Sequence, residues 1–90
     1  MKLLFLTPTE LECVIEEILE DETNELIRCQ SGFSEEKDTD IVKVMGSDKS
    51  DELPIENLIP RLNRYYGVHI LGYDVYEVGY FGEGFSFAIL

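Results

Sequence analysis

The sequence predicts an α+β fold, a mostly antiparallel sheet with two helices packed on one face, and three observations carry that expectation. A helix with a complete capping signal follows the first apolar run, a second helical face ends at a glycine, and the last third of the chain gathers aromatic and β-branched residues around a glycine-rich reversal. In order, these elements give β-α-β-β-α-β with one added arm. That is the split-βαβ, ferredoxin-like order, one candidate topology among several. With 90 residues and no internal repeat, the chain is expected to form one small domain over residues 1–90.

Lys2–Leu6 (KLLFL) is a short continuous apolar run, the length of a buried strand rather than a helix. Thr7, Pro8, Thr9 and Glu10 then spell a capping box, with Thr7 as N-cap, Pro8 at the first helical position and Glu10 reaching back. Leu11, Val14, Ile15, Ile18 and Leu19 recur at helical spacing as one apolar stripe, while Glu10, Glu12, Glu16, Glu17 and Glu20 project away from it or along its margins. Glu22 would return to the stripe, so the helix is expected to stop near Asp21. Residues 26–29 are a brief strand candidate, 32–40 an acidic loop, 41–45 (IVKVM) a second strand, and 46–52 (GSDKSDE) the most loop-like segment. Leu58, Ile59, Leu62, Tyr65 and Tyr66 form the second helical face, with Gly67 as its stop. Pro60 in a helix interior would cost about 3 kcal/mol, so Asn57 is the expected N-cap and residues 53–56 a turn or an extended lead-in.

From Val68 onward the composition fits strands, and Gly82, Glu83 and Gly84 supply a reversal between hairpin arms at 73–81 and 85–90. A two-residue loop at Glu83 and Gly84 sets Tyr80 opposite Phe87 and Val78 opposite Ile89. It gathers Tyr76, Val78, Tyr80, Phe85, Phe87 and Ile89 on one face, whereas a three-residue loop would bring Glu77 among them. The core is therefore expected to join Phe85, Phe87, Ile89, Val78 and Leu62 to Leu11, Val14, Ile15 and Ile18.

Signatures of catalysis are scarce. His69 is the only histidine, so no site built on two histidines fits within one chain. Cys13 falls opposite the apolar stripe among carboxylates that disfavour a thiolate, and two cysteines make no disulfide framework. No phosphate-binding glycine motif stands in a strand-to-helix context. The pairs Asp38 and Asp40, or Asp48 and Asp51, lack the glycine and terminal glutamate of a calcium loop. No metal or cofactor is expected. The aromatic residues of the hairpin have no basic neighbours of the kind that a base-stacking RNA sheet needs, so core packing is the better account of them.

Charge is the feature with functional content: 19 acids against 7 bases, net −12. Residues 1–56 hold 16 acids and 5 bases, and residues 57–90 hold 3 and 2. Such a field repels nucleic acid and anionic membranes and attracts cationic surfaces. Residues 10–25 carry eight acids with no base between them, and Glu10, Glu16, Glu17, Glu20, Asp21 and Glu25 are the expected partner-binding residues. If these are exposed, replacing Glu16, Glu17 and Glu20 by Gln should leave stability unchanged or slightly improved.

The expected function is that of a non-enzymatic acidic binding protein, an inhibitor that imitates nucleic acid on a basic nucleic-acid-binding protein. In size and acidity the chain resembles small phage or mobile-element inhibitors as a type, although no motif carries the resemblance. The plainer account of the acidity is solubility. The alternative function is a structural or regulatory module that self-associates through its β-sheet or through a second hairpin face with Phe81, Ala88 and Leu90. Leu3 to Leu6 is too short for a signal-peptide core, so cytoplasmic residence is the expectation, and no run reaches the length of a membrane span.

Overall fold

The computed structural model describes residues 2–77 and 83–90. The elements are β1 (Lys2–Leu6), α1 (Pro8–Thr23), β2 (Arg28–Ser34), β3 (Thr39–Met45), β4 (Ser50–Pro54), α2 (Ile55–Tyr66), β5 (Ile70–Glu77) and β6 (Glu83–Ile89). Two antiparallel three-stranded sheets result, in the orders β1-β6-β5 and β2-β3-β4. The α+β class holds, but the strands do not make one ferredoxin-like sheet. A split βαβ unit needs parallel neighbours, and here β1 pairs antiparallel with β6 while β2, β3 and β4 form a separate meander. The helices serve both sheets: α1 packs on β1, β2 and β6, and α2 on β3, β4 and β5. One core runs between them, with Leu11, Ile15, Ile55, Leu58, Leu62, Val42 and Phe87 fully buried.

Helix α1 starts as its capping box dictates, with Thr7 Oγ1 accepting from Glu10 N–H at 3.1 Å and Glu10 Oε1 accepting from Thr7 N–H at 3.1 Å. It runs two residues beyond Asp21, ending where Asn24 adopts the left-handed conformation at φ 60°. Glu22 does not end the helix, because its lane faces α2, where Arg61 Nε lies 3.1 Å from its carboxylate.

Helix α2 begins at Ile55, not after Asn57, so Pro60 stands inside it. Early entry buries Ile55 completely beside Leu58 and Leu62, a gain of about 1.5–3 kcal/mol that offsets the missing hydrogen bond. Pro60 and Glu56 are both exposed, so the carbonyl that the proline leaves unpaired is on the solvent side.

Tertiary pairing also overrides local preference in the β2-β3-β4 sheet. β2 continues through Gly32 and Phe33 to Ser34, where the sequence reads as loop, and the reversal narrows to residues 35–38 with Asp38 at φ 52°. Residues 50–54 become the edge strand β4. The turn before it closes with Gly46 N–H on the Lys49 carbonyl at 2.9 Å, and Glu52 is set directly opposite Lys43.

The hairpin register differs from the expected one. Tyr73 pairs with Phe87, Val75 with Phe85 and Glu77 with Glu83, with an irregularity between Ile70 and Gly72. Residues 78–82, and with them Val78, Tyr80 and Phe81, lie outside the described residues, but the pairing with Tyr80 and Val78 is displaced because Phe87 and Ile89 already face Tyr73 and Ile70. Tyr76 pairs with Gly84 and so stands on the face opposite Phe85 and Phe87. The phenylalanines are nonetheless core residues, together with Leu62, Leu11 and Ile15, while Val14, Ile18 and Ile89 pack partly buried against them.

β1 is not buried on both sides. Leu4 and Leu6 turn inward, while Leu3 and Phe5 are each 53% exposed on the outer face of the β1-β6-β5 sheet.

Candidate functional site

Helix α1 carries the acidic stretch, and its side chains fall into lanes with different surroundings. Leu11, Ile15 and Leu19 form the buried lane. Beside it, at the same four-residue spacing, Glu12, Glu16 and Glu20 face the edge of β2 and accept backbone hydrogen bonds. Glu12 accepts from Ser31 N–H at 2.8 Å, Glu16 from Cys29 N–H at 2.8 Å, and Glu20 from Ile27 N–H at 3.0 Å. The Ser31 hydroxyl adds a fourth bond, donating to Glu12 at 2.8 Å. The match is metric: four helical residues advance about 6 Å, and two strand residues about 6.7 Å, so an i+4 row of carboxylates meets an i+2 row of N–H groups. Helix side chains here do for the β2 edge what a neighbouring strand would otherwise do.

The expected partner-binding residues therefore separate. Glu16 and Glu20 are partly buried and held against β2, not presented together with the others on the side away from the core. Glu10 is exposed and completes the helix cap. Glu17 is exposed and accepts from the Tyr65 hydroxyl at 2.8 Å, a bond that raises the tyrosine's pKa, with desolvation and the Glu17 charge adding to it. Asp21 and Glu25 are exposed. The sequence reading of the interface leaves out Glu12. The available signal was its i, i+4, i+8 alignment with Glu16 and Glu20, opposite a strand that follows the helix closely.

Between α1 and α2 lies a groove of about 630 Å³ lined by Glu17, Ile18, Asp21, Glu22, Arg61, Arg64 and Tyr65. Glu22 is its electrostatic centre, taking Arg61 at 3.1 Å and Arg64 at 3.8 Å, and these are the ion pairs found among the described residues. The pairing neutralises one acid of the helix, and among the described residues no cation pairs with Asp21 or Glu25.

The nucleophile and metal candidates have simple surroundings. Cys13 is exposed on α1, and His69 is exposed just before β5, where its backbone carbonyl accepts from Leu90 N–H at 2.9 Å. Cys29 is buried. Burial, followed by the charges of Glu16, Glu12 and Glu20, pushes its thiol up to about 12. Among the described residues no group of three or more His, Cys, Asp or Glu side chains is placed to hold a metal ion. Asp40 instead accepts from the Tyr73 hydroxyl at 3.3 Å. No helix among the described residues is long and apolar enough to cross a membrane. Comparison of the chain with protein-family models, with curated proteins and with solved structures finds no match.

Proposed function

We propose that this chain is a non-enzymatic acidic binding protein that offers carboxylates to a cationic protein surface, and that the basic groove of a nucleic-acid-binding protein is the surface its chemistry fits. The observation that supports this reading is the charge left unneutralised: a net −12, with Glu22 the acid that takes part in ion pairs among the described residues. Contact falls to Glu10, Glu17, Asp21 and Glu25. Glu16 and Glu20 add to the field but keep their oxygens on β2. Association is fast and salt-sensitive, because long-range attraction between opposite fields steers the encounter.

The test is displacement of labelled duplex DNA from a panel of basic DNA-binding proteins, with association rates measured across a salt series. The chain is expected to release DNA from at least one member. The triple variant Glu17→Gln, Asp21→Asn, Glu25→Gln is expected to associate more slowly with a shallower salt slope. Equal rates and slopes for the two proteins, or no displacement across the panel, would leave the acidity as a solubility device.

A further inference from the structure

The carboxylate row of α1 covers the edge of β2 as far as Ser31 and stops there. Ile27, Cys29 and Ser31 turn their N–H groups away from β3, and the alternation of an antiparallel ladder gives Phe33 the same direction. The next place in the helix row, four residues before Glu12, is Pro8, whose side chain holds no acceptor. Among the described residues no side chain accepts from the Phe33 N–H, and the ring beside it is exposed, at 59% for the residue. A hollow of about 430 Å³ lies at this place, with Pro8, Glu12, Phe33, Asp40 and Phe85 in its walls. Glu12 takes both Ser31 bonds on Oε2, and Asp40 takes the Tyr73 hydroxyl on Oδ2. Each carboxylate therefore keeps a second oxygen that no other described residue hydrogen-bonds.

We propose that this open end of β2 binds an extended peptide segment of another protein through an arginine. The main chain at the arginine pairs with the N–H and C=O of Phe33 as a residue of an added strand would, and the guanidinium packs on the Phe33 ring and meets the carboxylates of Glu12 and Asp40. Charge selects this occupant. The chain carries a net −12, and Glu35 and Glu36 are exposed in the turn that follows Ser34. Lys37, the base of that turn, spends its ammonium on the Glu52 carbonyl at 2.9 Å. A guanidinium suits the hollow better than an ammonium, because a planar cation lies flat on an aromatic ring while its N–H groups fork toward carboxylates at its rim. The volume falls in the range of small-ligand clefts, about 300–1,000 Å³, enough for one long side chain and the backbone that bears it. This site lies apart from Glu10, Glu17, Asp21 and Glu25, and its segment need not belong to a nucleic-acid-binding protein, so the proposal goes beyond the functional one.

Amide NMR of the isotope-labelled full chain, titrated with a blocked alanine-arginine-alanine peptide, tests this directly. The Phe33 amide is expected to move most and to saturate with a Kd on the order of 1 mM, while the matching peptide with glutamate in place of arginine moves nothing. Butylguanidinium, a cation without a main chain, is expected to bind several-fold more weakly than the arginine peptide. Asp40→Asn keeps an acceptor for Tyr73 but loses the charge, and is expected to weaken the peptide by about fivefold or more. Pro8→Glu is the sharper variant. It sets a carboxylate at the vacant place of the row, where it caps the Phe33 N–H from within the chain, so binding is expected to weaken although the protein becomes more negative. Unspecific attraction to an acidic chain predicts the opposite sign. A Phe33 amide that does not respond, a response centred on Glu17, Asp21 and Glu25, or tighter binding to a folded Pro8→Glu variant overturns the proposal. The peptide series uses the unaltered chain, so the proposal stays refutable where a variant does not fold, and no DNA-binding protein takes part, so it fails separately from the functional reading.

Discussion

Glu16 and Glu17 are adjacent in sequence and differ in everything that follows from their direction. Glu16 accepts the Cys29 N–H at the β2 edge, whereas Glu17 meets the exposed Tyr65 hydroxyl. Glu16→Ala leaves a partly buried backbone donor unpaired and is expected to cost about 1–3 kcal/mol in a urea melt, while Glu17→Ala changes stability by less than about 0.5 kcal/mol. Glu16→Gln keeps an acceptor but loses the charge that strengthens the bond, so it destabilises by less than the alanine. The neutral effect that the sequence implies for replacing Glu16, Glu17 and Glu20 together is therefore replaced by a loss. Cys29 gives a second test at this scale. Its thiol is raised from 9.0 to about 12, first by burial. The folded state thus holds the proton longer than the unfolded chain, so this contribution to stability is complete below pH 9 and is lost as pH rises toward 12. Cys29→Val should flatten the fall in unfolding free energy over that interval, leaving the part due to the half-buried tyrosines Tyr66 and Tyr73, whose values are also raised, first by desolvation. Iodoacetamide at pH 8 should label Cys13 in the folded protein and Cys29 only in denaturant.

Among the elements, α2 makes the sharpest prediction. Pro60 follows five helical residues, so the ladder lacks the bond from position 60 to the Glu56 carbonyl. Pro60→Ala restores that donor and is expected to stabilise the protein by up to about 3 kcal/mol, reduced by the greater freedom of the unfolded alanine chain. Had the helix begun after Asn57, the proline would sit in the first turn and the change would be close to neutral. Thermal melts of the two proteins separate these cases. β6 is the central strand of its sheet, and Phe87 on it is fully buried between Leu4 of β1 and Tyr73 of β5. Phe87→Ala is expected to cost about 3–5 kcal/mol by denaturant titration, the combined loss of transfer energy and the cavity left behind.

For the molecule as a whole, an excess of twelve negative charges works against the compact state, since folding concentrates carboxylates that the unfolded chain keeps apart. Raising sodium chloride from about 0.01 M to about 0.5 M shrinks the screening length several-fold and is expected to raise the melting temperature. A melting temperature that falls over this range would show that attractive pairs such as Arg61 with Glu22 outweigh the repulsion. The two sheets meet the solvent differently. The β2 edge is closed by α1 carboxylates and the β4 edge is short, charged and ends in Pro54, whereas the β1-β6-β5 sheet leaves Leu3, Phe5 and Leu71 open.

The sequence by itself determined the α+β class, the start of α1 and the membership of most of the core, because capping and helical periodicity are local and each is written within a few residues. Thr7 and Glu10 need only each other, and Leu11, Ile15 and Leu19 need only the pitch of the helix. The tertiary structure alone decided the partition into two sheets, the hairpin register, the early start of α2 and the division of the acids. Each of these depends on a partner distant in the chain: Phe87 facing Leu4, Ile55 entering the core, Arg61 reaching Glu22, and Glu12, Glu16 and Glu20 meeting N–H groups of residues 27–31. A run of glutamates reads as a solvated face because solvent is the default partner of a carboxylate, and only the packing of α1 along β2 replaces that water with backbone.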